Sequence, residues 1–220
     1  MTDDSRASQS REFGTRLVLV RHGHALNSEK RCVGHTDLPL SPDGEHAFRE
    51  LVKDGAALRA IASNGGLRIV SSDLMRAVAS ARIIAEVAAR DVEYDARLRE
   101  MNFGEWDGRT WDEIGSVDGA RLQAWMDDWV NVPAPRGEGP RDVAARAASW
   151  LEAILDPPRD AARTVIAVAH AGWIRAVIAQ LTHHPLERMF ELPADHARAT
   201  LVHLSPAGNE IIASNVERLA

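Results

Sequence analysis

Two short apolar segments of this chain each lead directly into a histidine, and they constrain the fold more than any other feature. Residues 17–20 precede Arg21 and His22, and residues 164–169 precede His170. Continuous apolar runs of this length are typical of strands buried on both faces of a parallel sheet. Residues just past the carboxyl ends of such strands line the binding crevice of an open sheet. We therefore expect Arg21 and both imidazoles at one site.

Strand and helix patterns alternate along the rest of the chain. Further strands are expected near residues 68–71, 91–95, 199–204 and 209–214. Apolar residues at helical spacing mark helices near 47–52, 74–88, 143–154 and 174–181. Ser41, Pro42 and Asp43 supply a cap, a first-turn proline and an acid at the start of the first helix. This alternation predicts an α/β fold with a mostly parallel sheet flanked by helices.

Composition excludes several classes of function. The 220 residues fit one sizeable α/β domain or two small ones, and the net charge of −6 argues against a nucleic-acid or anionic-membrane partner. No apolar run approaches the roughly 20 residues of a membrane span. Residues 1–14 are polar, lack an apolar signal core and are expected to form a mobile tail, so a cytoplasmic location is expected. Cys32 is the only cysteine, which excludes an internal disulfide.

Two further residues complete a set suited to phosphoryl transfer. Arg76 is expected in the first turn of a helix and outside its apolar stripe, while Glu100 follows the strand near 91–95. An oriented neutral imidazole is a competent nucleophile toward phosphorus. Guanidinium groups match phosphoryl oxygens, and a nearby carboxyl group can protonate the leaving alkoxide. If Arg21, His22, Arg76 and His170 converge, the site is suited to phosphoryl transfer.

Four segments resemble the signatures of the histidine phosphatase (phosphoglycerate mutase-like) superfamily. They are RHG at 21–23, SSDLMRA at 71–77, LREMNFGEW at 98–106 and AHAG at 169–172. One such segment occurs by chance, whereas four in this order and spacing are specific. The resemblance covers nearly all of the chain after residue 15, and it implies a single-domain three-layer sandwich over 15–220.

The resemblance also implies roles for the matching residues. His22 becomes the phosphorylated nucleophile and Glu100 the proton donor, while Arg21, Arg76 and His170 become the phosphate pocket. No metal or organic cofactor is implied. The expected partner is a small-molecule phosphate ester, and a homodimer is kept as a candidate assembly.

The loop after the RHG motif departs from the family pattern. Members usually carry an asparagine six residues after the nucleophile, whereas here Asn27 lies at five and Ser28 at six. Members also often carry an acid or amide where this chain has His24. Asn27 is kept as a candidate phosphate contact in this shortened loop.

A narrower resemblance concerns the segment at about 101–139. EMNFGEW at 100–106, WMDDW at 125–129 and PRGEG at 135–139 are similar to α-ribazole-5′-phosphate phosphatases of cobalamin biosynthesis. The resemblance implies that this segment is a lid and that α-ribazole 5′-phosphate is the substrate. Another small phosphate ester and a phosphoglycerate-type substrate remain the alternatives. A non-catalytic phosphate-binding module is disfavoured, because the nucleophile, the arginines and the acid are all present.

The tryptophans of 101–139 and the histidines of the chain need a separate interpretation. The tryptophans at 106, 111, 125 and 129 either stack on an aromatic substrate or form a small satellite core. The histidine pairs at 22/24 and 183/184 lack further metal-binding side chains at a suitable spacing, so no metal is expected. The histidines at 183, 184, 196 and 203 are expected on the surface or in local packing.

Overall fold

A six-stranded sheet forms the centre of the computed structural model, which describes residues 14–64, 66–155 and 164–219. Its strands are β1 (Thr15–Arg21), β2 (Leu67–Ser71), β3 (Val92–Tyr94), β4 (Thr164–Ala169), β5 (Ala199–Ser205) and β6 (Gly208–Val216). The spatial order is β3-β2-β4-β1-β5-β6. The first four strands in this order are parallel to one another. Strand β5 is antiparallel to both of its neighbours, β1 and β6. Except for Gly14, the tail predicted at 1–14 lies outside the described residues.

Helices cover both faces of the sheet. They are α1 (Pro42–Leu51), α2 (Ala56–Ser63), α3 (Met75–Ala88), α4 (Trp111–Asp127), α5 (Pro140–Leu155) and α6 (Ala171–Thr182). One apolar cluster joins α1, α2 and α3 to one face, and another joins α5 and α6 to the other. The predicted single α/β domain with three layers and a mostly parallel sheet is confirmed.

The alternation of side chains along β1 explains these two layers. Leu17 and Leu19 belong to the cluster with α5 and α6, whereas Val18 and Val20 belong to the cluster with α1 to α3. All four are at most 5% exposed. Successive side chains of a strand point to opposite faces, so a continuous apolar run is needed when both faces are covered. The two apolar runs are therefore the two central strands.

Two helices were not predicted individually. No helix was expected at α2, and 101–139 was expected only to form a lid, although α4 within it has 17 residues. Ile114 is the only fully buried residue of α4, so its sequence has little apolar periodicity. Its backbone also kinks at Asp118, where the carboxylate accepts a hydrogen bond from the Trp106 indole at 2.8 Å. None of the described helices has the length and apolar character needed to span a membrane.

The register of the central strands positions the site. Arg21 in β1 lies beside Ala169 in β4, so the residues that follow both strands leave the sheet at the same edge. The backbone N–H of His22 donates to the Ala169 carbonyl at 3.1 Å, which extends the pairing to the histidine itself. The two predicted histidines are thereby fixed side by side by backbone hydrogen bonds.

Candidate active site

His22 and His170 meet at the carboxyl edge of the sheet, as the sequence predicted. Their ring centroids are 4.8 Å apart, and the residues are 5% and 0% exposed. His170 Nε2 lies 2.9 Å from the Ser72 hydroxyl, while its Nδ1 is buried without a partner among the described residues. Ser72 follows β2, so three adjacent parallel strands contribute to this corner of the site.

The hydrogen bonds of His22 define which ring nitrogen can react. Its Nδ1 lies 2.6 Å from the carbonyl oxygen of Gly23, so Nδ1 must carry the proton and donate it. In the neutral ring this leaves a lone pair on Nε2. The Nε of Arg76 donates to that lone pair at 3.3 Å, which places a positive charge beside the reactive atom.

Arg76 is a buried guanidinium held in one orientation. The residue is 1% exposed, and Nη1 and Nη2 donate to the carbonyls of Thr36 and Gly34 at 2.9 and 2.7 Å. Burial lowers its pKa, because the charged form loses solvation, and nearby Glu100 opposes that shift. The loop at 34–36 thus fixes the fork that faces His22.

Arg21 supplies a second cation from the end of β1. Its Nη1 donates to the Ala194 carbonyl at 2.8 Å, and its Nε is buried without a partner among the described residues. Burial lowers its pKa to about 10, so the guanidinium is still charged at neutral pH. A buried N–H group that lacks an acceptor is well suited to bind an oxyanion.

Burial and the neighbouring cations keep the paired histidines neutral. Burial lowers the pKa of His22 well below its usual 6.5, and Arg76 and Arg21 lower it further. The pKa of His170 is also lowered well below 6.5, first by burial and then by His22 and Arg76. His22 is therefore unprotonated at Nε2, as a nucleophile requires.

Glu100 reaches the same pocket from the segment after β3. Both carboxyl oxygens accept the backbone N–H of Gly172 at 3.1 Å, and Oε1 also accepts the N–H of Met101 at 2.9 Å. A Cβ at position 172 would overlap Oε1, so only glycine allows this approach. The glycine of the AHAG segment thus makes room for the carboxyl group.

A half-buried ion pair holds the backbone that carries Glu100. Arg146 on α5 pairs with Glu138 at 3.0 Å, and the same guanidinium donates to the carbonyls of Arg97, Arg99 and Glu100 at 2.8, 2.6 and 3.0 Å. Glu138 in turn accepts the N–H of Asn102 at 2.9 Å. The guanidinium thereby bridges the Glu100 segment and α5, a link that the sequence analysis did not predict.

A pocket of about 190 Å³ opens in front of these groups. Its lining comprises Arg21, His22, His24, Ala25, Ser28, Arg31, Val33, Arg76, Glu100 and His196. The structure thus brings together all five residues predicted as catalytic, with His170 packed against the His22 ring. Three guanidiniums and one carboxyl group line the pocket, which makes it suitable for an anion.

Asn27 is a predicted site residue that lies outside this group of side chains. It is exposed, has a left-handed φ of 57° and lines a neighbouring open pocket with Thr36 and Leu38. Ser28, the next residue, lines the catalytic pocket instead. The phosphate contact of Asn27 stays a prediction.

His196 also lines the pocket, although it was not among the predicted site residues. Its ring centroid is 5.3 Å from that of His22 and 5.1 Å from that of His24, so it packs locally, but against two residues of the pocket. Burial, Arg21 and His24 lower its pKa to about 3, against the opposing charge of Asp195. No motif surrounds His196; only its place just before strand β5 could have pointed to the site.

The tryptophans of 101–139 form a cluster of their own. Trp106 is 1% exposed and packs with Cys32, Ile114 and Ala134, and Trp125 packs against this group. Trp111 stacks on Trp125 with centroids 6.0 Å apart. None of the residues that line the catalytic pocket comes from 101–139. Trp106 and Trp125 therefore belong to a small satellite core, and the exposed Trp111 stacks on its edge.

Trp129 lies apart from that cluster and packs against Phe190, with centroids 4.5 Å apart. Among the described residues, no group of three or more histidine, cysteine, aspartate or glutamate side chains is placed to hold a metal ion.

Comparison with protein families identifies the class of protein. Residues 17–217 match the model of the histidine phosphatase superfamily, branch 1. The chain belongs to this superfamily, as the four sequence segments predicted. Together with curated phosphatase relatives, this identifies it as a phosphoric monoester hydrolase.

Individual relatives define the similarity more closely. The glucosyl-3-phosphoglycerate phosphatase of Mycolicibacterium vanbaalenii is 37% identical over 180 residues, which are 78% of this chain and 76% of that protein. The vanadate complex of a mycobacterial glucosyl-3-phosphoglycerate phosphatase has a TM-score of 0.71 at 32% identity, covering 92% of this chain and 99% of that one. The α-ribazole phosphatase of Shigella flexneri has a TM-score of 0.81 at 23% identity, covering 94% and 98%.

Proposed function

We propose that this protein hydrolyses small phosphate monoesters through a phosphohistidine at His22. The observation that carries the proposal is the hydrogen-bonding of the His22 ring. Nδ1 is committed to the Gly23 carbonyl, while Nε2 lies 3.3 Å from the Arg76 guanidinium in a pocket that also contains Glu100. Nucleophile, positive charge and acid are thereby within one cavity.

In the first half-reaction, Nε2 of His22 attacks phosphorus and the bond to the ester oxygen breaks. Glu100 gives its proton to that leaving oxygen, so the alcohol departs neutral. Arg21, Arg76 and His170 stabilise the charge on the three non-bridging oxygens during the transfer. The product is phosphohistidine together with a free alcohol.

In the second half-reaction, water attacks the phosphohistidine. Glu100, now a carboxylate, takes a proton from the water as the new P–O bond forms. The bond from phosphorus to Nε2 breaks, and inorganic phosphate is released. His22 returns to its starting state with its Nδ1–H still on the Gly23 carbonyl.

The substrate we favour is a phosphoglycerate-type ester, and α-ribazole 5′-phosphate is the second candidate. The more similar curated relatives bear the name glucosyl-3-phosphoglycerate phosphatase. The likeness to α-ribazole phosphatases is greater in fold than in sequence, at 22% to 23% identity. The tryptophans at 106, 111 and 125 do not line the pocket, which disfavours their stacking on a ribazole base.

Brief exposure to labelled p-nitrophenyl phosphate in the presence of EDTA, followed by a quench, tests the mechanism. The wild type is expected to retain label that is stable in base and lost in acid, whereas His22→Ala retains none. Label that survives acid, or turnover of His22→Ala above a few per cent, would contradict a His22 intermediate. An absence of turnover by a folded wild type would favour a phosphate-binding module. The kcat/KM values for glucosyl-3-phosphoglycerate, α-ribazole 5′-phosphate and simple sugar phosphates then rank the substrates.

A further inference from the structure

The catalytic pocket has an outer wall that the hydrolysis mechanism does not use. This outer wall consists of His24, Ser28, Arg31 and His196. Its four side chains present one guanidinium, one hydroxyl group and two imidazoles. In the proposed mechanism the phosphoryl group is bound by Arg21, Arg76 and His170. The outer wall is therefore available to the rest of the substrate.

Arg31 is the exposed, charged member of the outer wall, and the Glu113 carboxylate acts on it only at longer range than an ion pair. Its Nη1 donates to the Gly108 carbonyl at 2.9 Å, and it has no ion-pair partner within 4 Å among the described residues. The nearby Glu29 carboxylate lies 3.8 Å from His24 instead. By contrast, Arg121 and Arg136 both pair with Glu105. The remaining donors of Arg31 are therefore free for a ligand.

The pocket lining contains one guanidinium more than the proposed mechanism uses. Arg21, Arg31 and Arg76 all line the pocket. Arg21 and Arg76 bind the phosphoryl oxygens in that mechanism, and carboxylates around the pocket act on both of them. Arg31 is left for another group of the substrate.

Arg31 also connects two cavities. It lines the catalytic pocket and a larger open pocket of about 450 Å³, which is formed with Asn27, Glu29, Thr36, Leu38 and Gly108. A leaving group that extends past the ester oxygen along the outer wall therefore meets this guanidinium. The side chains here are mainly polar, so they suit an oxygen-rich group better than a flat aromatic one.

We propose that Arg31 is a specificity-determining residue that binds a carboxylate on the leaving group of the phosphate ester. The proposal rests on the hydrolytic function above and names a substrate class, phosphorylated hydroxy acids. The planar guanidinium fork matches a carboxylate with two parallel hydrogen bonds. The Ser28 hydroxyl and the imidazoles of His24 and His196 provide hydrogen-bonding groups for the neighbouring hydroxyl oxygens.

A pair of substrates that differ only in the carboxylate tests the proposal. The pair is 3-phosphoglycerate and glycerol 3-phosphate, in which a hydroxymethyl group replaces the carboxylate. The wild type is expected to prefer 3-phosphoglycerate in kcat/KM. Arg31→Met, which keeps length and removes charge, should lower that preference about 10- to 100-fold, the worth of a charge-assisted hydrogen bond. Arg31→Lys should restore part of it, because it restores charge without the fork.

Arg109→Met is the matched control. Arg109 is exposed, and its carbonyl accepts the N–H of Cys32, the residue after Arg31. Arg109 does not line the catalytic pocket. This variant should keep the wild-type preference. An unchanged preference in Arg31→Met would overturn the proposal, as would a wild type that does not favour 3-phosphoglycerate or that favours α-ribazole 5′-phosphate over it.

Binding to the inactive His22→Ala protein separates this proposal from the hydrolytic one. Calorimetry gives the affinities of this protein for 3-phosphoglycerate and glycerol 3-phosphate, and their ratio measures the preference without any turnover. A ratio that collapses when Arg31→Met is added supports the carboxylate site, even if the wild type forms no phosphohistidine. A ratio of one in both proteins contradicts the carboxylate site and leaves the label experiment to decide the mechanism.

Discussion

The catalytic pocket and the aromatic segment at 101–139 hold their side chains in opposite ways. In the pocket, His22, Arg21 and Arg76 are oriented by hydrogen bonds to backbone carbonyls at strand ends and in loops. In the segment, Trp125 is held by contacts with other aromatic rings, and Trp106 adds a single hydrogen bond to Asp118 to such contacts. Directional hydrogen bonds fix both position and angle, whereas apolar packing mainly fills volume.

This difference predicts different responses to mutation. A pocket residue should affect turnover through its chemical role, and the size of the effect should depend on whether the substrate's reaction requires that role. A residue of the aromatic segment should affect the free energy of unfolding and leave the ranking of substrates unchanged. The predictions below test that division, beginning with the largest expected effect.

Replacing Glu100 with glutamine should have the largest effect. Glutamine keeps the oxygen that accepts the Gly172 N–H but has no proton to give. General acid catalysis is worth about 10²- to 10⁴-fold where the leaving group needs a proton. We therefore expect kcat for glycerol 3-phosphate to fall by that factor, while p-nitrophenyl phosphate, which leaves as a stable phenolate, falls only slightly.

Glu105→Gln is the control for that experiment. Glu105 is exposed and pairs with Arg121 and Arg136 outside the pocket. Steady-state rates with both esters should stay near wild type. Equal losses on both esters in Glu100→Gln would show that Glu100 has another role, and Glu105 would then become the carboxyl group to examine.

Replacing Arg76 with lysine should lower kcat/KM by about 10²- to 10³-fold for every monoester. This is the typical effect of losing one preorganised donor to a developing oxyanion. Lysine keeps the charge but cannot contact His22 and both carbonyls at Gly34 and Thr36 at once. Arg82→Lys, at an exposed site on the same helix α3, is the matched control. A loss confined to one substrate would contradict a general phosphate-binding role.

Replacing Trp125 with alanine should destabilise the fold by about 3 kcal/mol, near the low end for a large aromatic residue, because Trp125 is only half-buried. It loses contacts with Phe103, Trp106 and Trp111. Thermal melting should show the loss, and kcat/KM for α-ribazole 5′-phosphate and p-nitrophenyl phosphate should change alike. Met126→Ala, at an exposed neighbouring position on α4, is the control. A selective loss on the ribazole ester at unchanged stability would indicate a lid.

The same division explains what could be predicted from the sequence. The continuous apolar runs before His22 and His170 reflect burial on both faces, so strand order along the chain and the paired histidines followed from local pattern. Arg76 and Glu100 followed from the family segments. The place of His196 depends on how β5 pairs with β1, a long-range contact that leaves no local pattern. The position of Asn27 depends on the backbone geometry of a loop, including its left-handed φ.

The last prediction has no effect at neutral pH, and it concerns the residue that the sequence did not reveal. Burial lowers the pKa of His196 to about 3, whereas an unfolded histidine titrates near 6.5. Below pH 6.5 the unfolded chain therefore binds a proton that the folded protein does not. The free energy of unfolding decreases as pH falls from 6.5 toward 3, by about 1.4 kcal/mol per pH unit from this residue. Its contribution is complete above pH 6.5.

Urea unfolding of His196→Asn at pH 6, 5 and 4 measures that contribution. Because His22 and His170 are also held neutral by burial, the wild type should lose stability more steeply than one histidine explains. The variant should lose about 1.4 kcal/mol less per pH unit than the wild type. His46→Asn, at an exposed position on α1, is the matched control. Equal slopes for His196→Asn and wild type would mean that the His196 ring accepts its proton in the folded pocket, which would place a further positive charge 5.3 Å from the His22 ring at acidic pH.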